Sequence, residues 1–298
     1  MPVSSHCQSN PLRAAYYADG ACQRRVSVIE NVRLAEGTYR ARFECPEIAR
    51  QIVPGQFLMV RLFGETDPLL GRPLALYDVV LDAAGAPWAI DVVYLVMGKM
   101  TGRLAQCGPG TELVVWGPLG NGFPRLSFDH LVMVAGGIGQ TPFLALGQEY
   151  LGRRSYGSPP RVATSLSQVT LCYGVRTAAL AAGVNDFRAA GFDVRLSSDD
   201  GSLGHHGLVT DLLGDALDET IGKDRLVVCC GPEPMMEAVA KICRAAGAPC
   251  LVSLETPMAC GIGICFSCVA KIRQPDGSWD YKRTCVEGPI FDAEKIEW

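Results

Sequence analysis

Residues 258–268 read MACGIGICFSC, and Cys285 follows seventeen positions after Cys268. Cys260, Cys265, Cys268 and Cys285 are therefore spaced C-x4-C-x2-C, then x16-C. Thiolates are soft ligands suited to iron or zinc. Gly261 and Gly263 give the loop between the first two thiols the backbone freedom to wrap a metal centre and to aim main-chain N–H groups at cluster sulfides. The spacing is that of a plant-type [2Fe–2S] site with a shortened last gap. Structural zinc is the competing reading, but zinc ribbons present two short C-x2–4-C knuckles, whereas these four thiols split three and one. Unliganded thiols are the third reading. The other nine cysteines are scattered (Cys7, Cys22, Cys45, Cys107, Cys172, Cys229, Cys230, Cys243, Cys250), and most read as small core hydrophobes.

Two further groups of residues could hold organic cofactors. In GRPLALYD (71–78), Arg72 offers a charged fork for phosphate, while Pro73, Leu74 and Ala75 could lie along a flavin through backbone groups. Tyr94 ends a strand-like run, and GKMTGRL (98–104) predicts a helix start with Thr101 in its first turn, where free N–H groups could meet a pyrophosphate. A turn with a surface arginine is the plain alternative. VAGGIGQTPFLAL (134–146) reads as strand, glycine turn and helix. There Gly136, Gly137 and Gly139 permit close backbone approach, and Thr141 is expected to cap the helix. This is not a strict G-x-G-x-x-G, and a glycine turn without a ligand is its alternative. CYGVRT (172–177) brings Tyr173, Gly174 and Arg176 to a strand end, and CCGPEPMM (229–236) brings Cys230, Gly231 and Pro232 to another. Asp199 and Asp200, after a third strand, could accept ribose hydroxyls and would disfavour a 2′-phosphate, which favours NADH over NADPH. His205 and His206, flanked by glycine, read as a solvated loop pair.

The elements that must position these groups fall into four stretches. Residues 1–24 are polar and without period, an N-terminal extension. Residues 25–124 hold six strand-like runs separated by Gly/Pro/Asp turns, which predicts a small antiparallel β-barrel. Residues 125–250 alternate strand-like and helix-like segments, which predicts an α/β domain with a parallel sheet. Residues 251–298 are loop-rich around the four cysteines.

Composition bounds the function. The chain has 298 residues, 48% hydrophobic and 19% charged, which is the balance of a folded chain with room for two domains. A net charge of −4 implies no basic face for nucleic acid or acidic membrane. The apolar runs are too short to span a bilayer, and the first residues lack the apolar core of a signal peptide. A cytoplasmic location is the expectation, in which the cysteines stay reduced.

Taken in order, these segments resemble the ferredoxin-reductase superfamily. More narrowly, the chain is similar to the electron-transfer subunits of NAD-dependent, two-subunit (type B) dihydroorotate dehydrogenases. The similarity runs from about Arg25 to the end. It rests on GRPLALYD, GPLGNGF, VAGGIGQTP, CYGVRT, CCGPEPMM and above all MACGIGICFSC…YKRTCVEGPIFDA. The resemblance implies FAD on the barrel, NAD on the α/β domain and one [2Fe–2S] cluster on Cys260, Cys265, Cys268 and Cys285. It implies that Arg72, Pro73, Leu74 and Ala75 line the flavin, with Val93, Tyr94, Leu95 and Thr101 near it. It also implies a catalytic FMN subunit as partner, in a heterotetramer, working in pyrimidine (UMP) synthesis. A flavin converts between two-electron hydride transfer and one-electron cluster chemistry, so no residue here need be a strong acid or base. The family commonly has Ser where Ala75 stands and Gly where Met100 stands, so flavin contacts should differ in detail. A related flavin/iron–sulfur NAD(P)H reductase subunit with another partner, of ferredoxin–NADP reductase or sulfide-dehydrogenase type, is the alternative. A structural or redox-sensing subunit without dinucleotide is a third possibility.

Overall fold

The structure is a computed structural model that describes residues 18–161 and 165–298. The extension's Cys7 lies outside the described residues. Cys22, read as part of that extension, instead begins the first strand, because it pairs with Gly117 in a ladder that the barrel needs for closure.

Six antiparallel strands close the barrel: β1 (Cys22–Ala35), β2 (Thr38–Glu44), β3 (Phe57–Leu62), β4 (Arg72–Leu81), β5 (Pro87–Leu95) and β6 (Glu112–Leu119), in the order β1-β2-β5-β4-β3-β6. Two short helices, α1 (Pro46–Ala49) and α2 (Lys99–Leu104), lie between them. Side chains alternate across each strand. Val26, Phe43, Leu58, Val60, Leu74, Leu76, Ile90, Val92 and Val115 thus share one buried core, which Ile48 and Ile52 close beside α1.

The α/β unit follows as β7 (His130–Gly136), α3 (Phe143–Tyr150), β8 (Val169–Val175), α4 (Val184–Ala189), β9 (Asp193–Ser198), β10 (His205–His206), α5 (Val209–Glu219), β11 (Arg225–Cys230), α6 (Glu233–Ala245) and β12 (Cys250–Ser253). A hairpin of β13 (Val269–Arg273) and β14 (Trp279–Arg283) comes next, then β15 (Ile290–Asp292). The large sheet runs β10-β9-β8-β7-β11-β12-β15, parallel except for β15 against β12. It extends past residue 250 because β15 returns from beyond the cysteines to cover the open edge of β12. Cys45, Cys172, Cys229, Cys230, Cys243 and Cys250 are buried among apolar side chains, the role expected of small core hydrophobes.

Helices α3 and α4 pack on one sheet face, and α5 and α6 on the other. The barrel joins the first of these layers: Tyr77 of β4 and Val93 of β5 are buried with Phe143, Tyr150 and Phe187. Hydrogen bonds fix this junction. Tyr77 Oη donates to Asp186 Oδ2 at 2.8 Å, and Asp78 accepts from Gln148 Nε2 at 3.0 Å and Tyr156 Oη at 2.8 Å. Arg161 Nε donates to the buried Glu149 carboxylate at 3.0 Å, and its Nη1 to Phe123 O at 2.9 Å. Buried charges with several partners hold one geometry, because any other would strand them unpaired.

Candidate cofactor sites

The sheet order reverses between β7 and β11, and in open α/β sheets the crevice beyond the strand ends at such a point is where ligands bind. Gly136 ends β7 there with Gly137 just after it, and Cys230 ends β11 opposite, followed by Gly231 and Pro232. The glycines divide by role. A Cβ on Gly139 would come within 2.2 Å of Cys230 O, and one on Gly136 within 2.6 Å of Met235 Sδ, so these two permit packing of the chain on itself. Gly137, at φ +55°, has open space where a Cβ would stand, so its backbone is the approachable one. Gly231, at φ +155°, backs directly onto Gly136. Gly174 at the end of β8 is a packing glycine too, with Val209 2.7 Å from its absent Cβ.

Side chains expected at this edge part company in the structure. Arg176 and Asp200 are exposed. Asp200 accepts from Ser202 N at 3.0 Å, and the Ser202 hydroxyl beside it holds its carboxyl below the usual range. Tyr173 instead turns into the core, where its hydroxyl accepts from Ala182 N at 3.2 Å. Burial likewise pushes the Cys230 thiol well up and leaves it a neutral core group. Thr141 does not cap a helix: α3 begins after Pro142 with no side-chain cap, because Gly137–Gln140 form a separate 3-10 turn and leave Thr141 buried. His205 and His206 form the short edge strand β10 and remain exposed, with His205 Nε2 3.0 Å from Asp211 Oδ2.

One residue missed in the sequence stands out at this edge. Gln140 is fully buried, yet its Oε1 and Nε2 have no hydrogen-bond partner, and the turn bearing it packs against β5 and β11. Buried amides are normally satisfied. This one lies where its turn packs against barrel and sheet, with no polar partner from the protein. Its signal in the sequence was only its place in GGIGQTP.

On the barrel, strand alternation sorts the flavin candidates. Leu74 points into the barrel core with Leu76, while Pro73 and Ala75 sit half-buried on the outer face. Tyr94 is also inside, stacked on Tyr39 with its hydroxyl donating to Asn31 Oδ1 at 3.0 Å, so only its backbone is available to a ligand. Val93 faces the α/β unit, and Leu95 ends β5 half-exposed. Arg72 Nη1 donates to Leu70 O at 3.1 Å and Gly71 O at 3.0 Å, tethered to its own loop. Thr101 lies in the first turn of α2, as the sequence predicts. Its hydroxyl accepts from Met97 N at 3.0 Å and Gly98 N at 3.2 Å, which occupies two donors a pyrophosphate would otherwise meet.

The four cysteines stand as two pairs. Cys260 neighbours Cys265, and Cys268 neighbours Cys285. Among the described residues, no three His, Cys, Asp or Glu side chains converge on one point as a single-ion site requires. A [2Fe–2S] cluster instead takes four thiolates, two at each iron. The Ser267 hydroxyl holds the exposed Cys265 thiol down to about 6, and the neighbouring Cys285 thiol holds Cys268 down to about 6 while Cys285 itself is raised. Ile262 N donates to Cys260 Sγ at 3.4 Å. Gly261 and Gly263 have φ of +74° and +83°. The donor set, its charge and its loop all fit a two-iron cluster.

This loop is seated on the barrel. Trp116 Nε1 of β6 donates to Cys260 O at 3.0 Å. A Cβ on Gly261 would approach Met59 Cγ to 2.5 Å, so the loop lies flat on β3. Met59 pairs with Trp116 on one side and with Pro73 of the candidate flavin strand on the other. Asn121, from GPLGNGF, staples the far end: its Nδ2 donates to Glu287 O and Ile290 O at 3.1 and 2.8 Å. Thr284 Oγ1 donates to Cys268 O at 3.0 Å. Trp116, Met59 and Asn121 lie far from the cysteines in sequence, and only folding reveals them as their partners.

Comparison with known proteins agrees with this arrangement. The profile for the iron–sulfur cluster binding domain of dihydroorotate dehydrogenase B matches residues 255–297. The chain is 35% identical to the dihydroorotate dehydrogenase B (NAD(+)) electron transfer subunit of Desulforamulus reducens, over 89% of this chain and 94% of the relative. It is 34% identical to that of Caldanaerobacter subterraneus subsp. tengcongensis, over 91% and 97%. Among solved structures, the NADH-dependent reduced ferredoxin-NADP oxidoreductase, described for flavin-based electron bifurcation, superposes with a TM-score of 0.73 at 27% identity, covering 92% of this chain and 90% of that one. A ferredoxin NADP+ reductase from Neisseria gonorrhoeae shares the fold, with a TM-score of 0.59 at 16% identity over 76% of this chain and 92% of that one. The chain belongs to the family of dihydroorotate dehydrogenase B (NAD(+)) electron transfer subunits.

Proposed function

We propose that this chain delivers electrons from a dihydroorotate-oxidising partner to NAD+ in pyrimidine (UMP) synthesis, using FAD, a [2Fe–2S] cluster and NAD. When bound, the cluster exchanges single electrons and the flavin exchanges both single electrons and hydride, which is what couples such a partner to a nicotinamide. The observation that supports this reading best is the seating of the cysteine loop on β3, directly beside β4. The two candidate cofactor surfaces are thus neighbouring strands of one closed barrel, held in register by the backbone ladder.

The residues divide accordingly. Cys260, Cys265, Cys268 and Cys285 would hold the cluster. The outer face of β4 at Pro73 and Ala75, the backbone of Val93–Leu95 and the Gln140 amide would bound the flavin, with Arg72 and the start of α2 at Thr101 toward its phosphates. Gly137, Arg176, Asp200 and the Cys230–Pro232 turn would border NAD. Ile264 and Phe266 project from the cluster loop into solvent, and a catalytic FMN subunit meeting the chain there would form a heterotetramer with two copies of each. No helix among the described residues is long and apolar enough to cross a membrane.

A second reading has one observation in its favour, the close superposition on the ferredoxin-NADP oxidoreductase chain. Co-expression with the candidate catalytic subunit, anaerobic purification and measurement of dihydroorotate-dependent NADH formation separates the two. The proposed function requires NADH formation that depends on this chain and is lost in Cys265→Ser. Failure of the chains to associate, with NADH still bleaching the flavin, would transfer the assignment to the second reading.

A further inference from the structure

The cluster loop, the hairpin and the turn that follows it meet at one charged side chain, Arg283. Its backbone pairs with Val269, the residue after Cys268, and it stands two positions before Cys285. Its guanidinium Nη1 reaches across to Gly263 O at 3.0 Å, inside the loop between Cys260 and Cys265. One arginine therefore touches all three segments that carry the four thiols. Glu287 holds it in place through Nε at 3.2 Å and Nη2 at 3.1 Å, and also accepts from Arg283 N at 2.6 Å. The guanidinium lies 5.1 Å from the ring of Phe266, at the tip of the same loop. The two side chains keep only 19% and 29% of their surface exposed, so solvent screens their charges incompletely.

The geometry points to Arg283 and Glu287 as a positioning pair that fixes the cysteine loop and sets the reduction potential of the centre it holds. This rests on the reading of the four cysteines as ligands of a [2Fe–2S] cluster. Reduction adds one negative charge to the cluster. A fixed guanidinium beside it favours the reduced form, and a fixed carboxylate opposes it. As an ion pair the two nearly cancel. Removing either one leaves the other acting alone, so the two removals shift the potential in opposite directions. A purely structural pair, by contrast, would loosen the same loop whichever member was lost.

The test uses the full-length chain with its cofactors, in wild-type, Arg283→Gln, Glu287→Gln and Arg283→Lys forms. Iron content and the electron paramagnetic resonance of the reduced cluster are measured first, followed by a mediated redox titration of each. Hydrogen exchange at Gly263–Cys265 reports the loop. Arg283→Gln should disfavour the reduced cluster about tenfold, or ~59 mV for one electron, and Glu287→Gln should favour it by a similar factor. Arg283→Lys keeps the charge but not the fork. It should hold the wild-type potential within threefold (~28 mV) while loop exchange rises. Shifts of the same sign in the two glutamine variants, or none, would overturn the inference. If Arg283→Gln retains no iron, Glu287→Gln and Arg283→Lys decide alone: an upward shift in the first with none in the second supports it, and any other result overturns it. A wild-type chain without a [2Fe–2S] signal would refute the cluster reading itself.

Discussion

Gln140 gives the sharpest test of where the flavin and nicotinamide lie. Its amide is fully buried and both polar atoms lack partners within the protein. A buried, unsatisfied polar group costs about 1–3 kcal/mol. Gln140→Met, close to isosteric and without those groups, should therefore stabilise the cofactor-free chain by about 2 kcal/mol. That corresponds to a rise of roughly 4–8 °C in Tm at 2–4 °C per kcal/mol. If the amide meets a bound ring, the same substitution removes one hydrogen bond of about 1–1.4 kcal/mol and weakens retention of that ligand roughly five- to tenfold. Calorimetry of the flavin-free chain, with FAD and NADH titrations followed by fluorescence, reads both effects. Opposite signs are the signature: higher apo stability with weaker ligand binding. An unchanged affinity for both FAD and NADH would show that Gln140 faces neither, and lower apo stability would show that its amide is satisfied in solution.

Gly261→Ala should lower iron retention and destabilise the C-terminal segment by about 2–4 kcal/mol, since its φ is left-handed and a Cβ would press to 2.5 Å from Met59 Cγ; iron assay and urea unfolding read this. Trp116→Phe keeps an aromatic ring, smaller than the indole, but not the donor to Cys260 O, and should raise amide exchange in the Gly261–Gly263 loop about five- to tenfold while NADH still reduces the flavin at the wild-type rate. Burial lowers the His130 pKa, and its ring hydrogen-bonds Thr170 while neutral. The unfolded chain then binds the extra proton as pH falls below 6.5. Stability should decline from that point downward, by at most about 1.4 kcal/mol per pH unit, and the slope should disappear in His130→Asn.

The cysteines, the barrel strands and the alternating βα segments were legible because each is a local signal: ligand spacing, period-two burial, and glycine after an apolar run. Side-chain direction was legible only where strand alternation could be applied. Leu74 and Tyr94 lie in segments that the resemblance ties to a flavin, yet both turn inward, because a strand shows only every second residue to either side. Thr141 looked like a cap because Thr before an apolar run often is one. The 3-10 turn at Gly137–Gln140 moved the helix start past it. What the sequence hid entirely is contact over long separation. Trp116 lies 144 residues from Cys260, and Asn121 lies 166 from Glu287. Arg283 sits two residues from Cys285, yet its bond to Gly263 depends on a hairpin that no single segment announces.

The placement of Met59 explains why a closed barrel suits this task. It is fully buried under the cysteine loop and lies one ladder rung from both Pro73 and Trp116. A loop resting on an open sheet could slide with the strand it sits on. Here β3 is fixed by β4 on one side and β6 on the other, and closure leaves no edge to slip. The loop is pinned to this frame at Cys260 by Trp116, at Gly261 by Met59 and at Glu287–Ile290 by Asn121. In the proposed arrangement, cluster and flavin surfaces held in this way keep a fixed separation, on which single-electron exchange between them depends steeply. The junction of Tyr77 with Asp186, and of Asp78 with Gln148 and Tyr156, extends the same constraint to the nicotinamide edge.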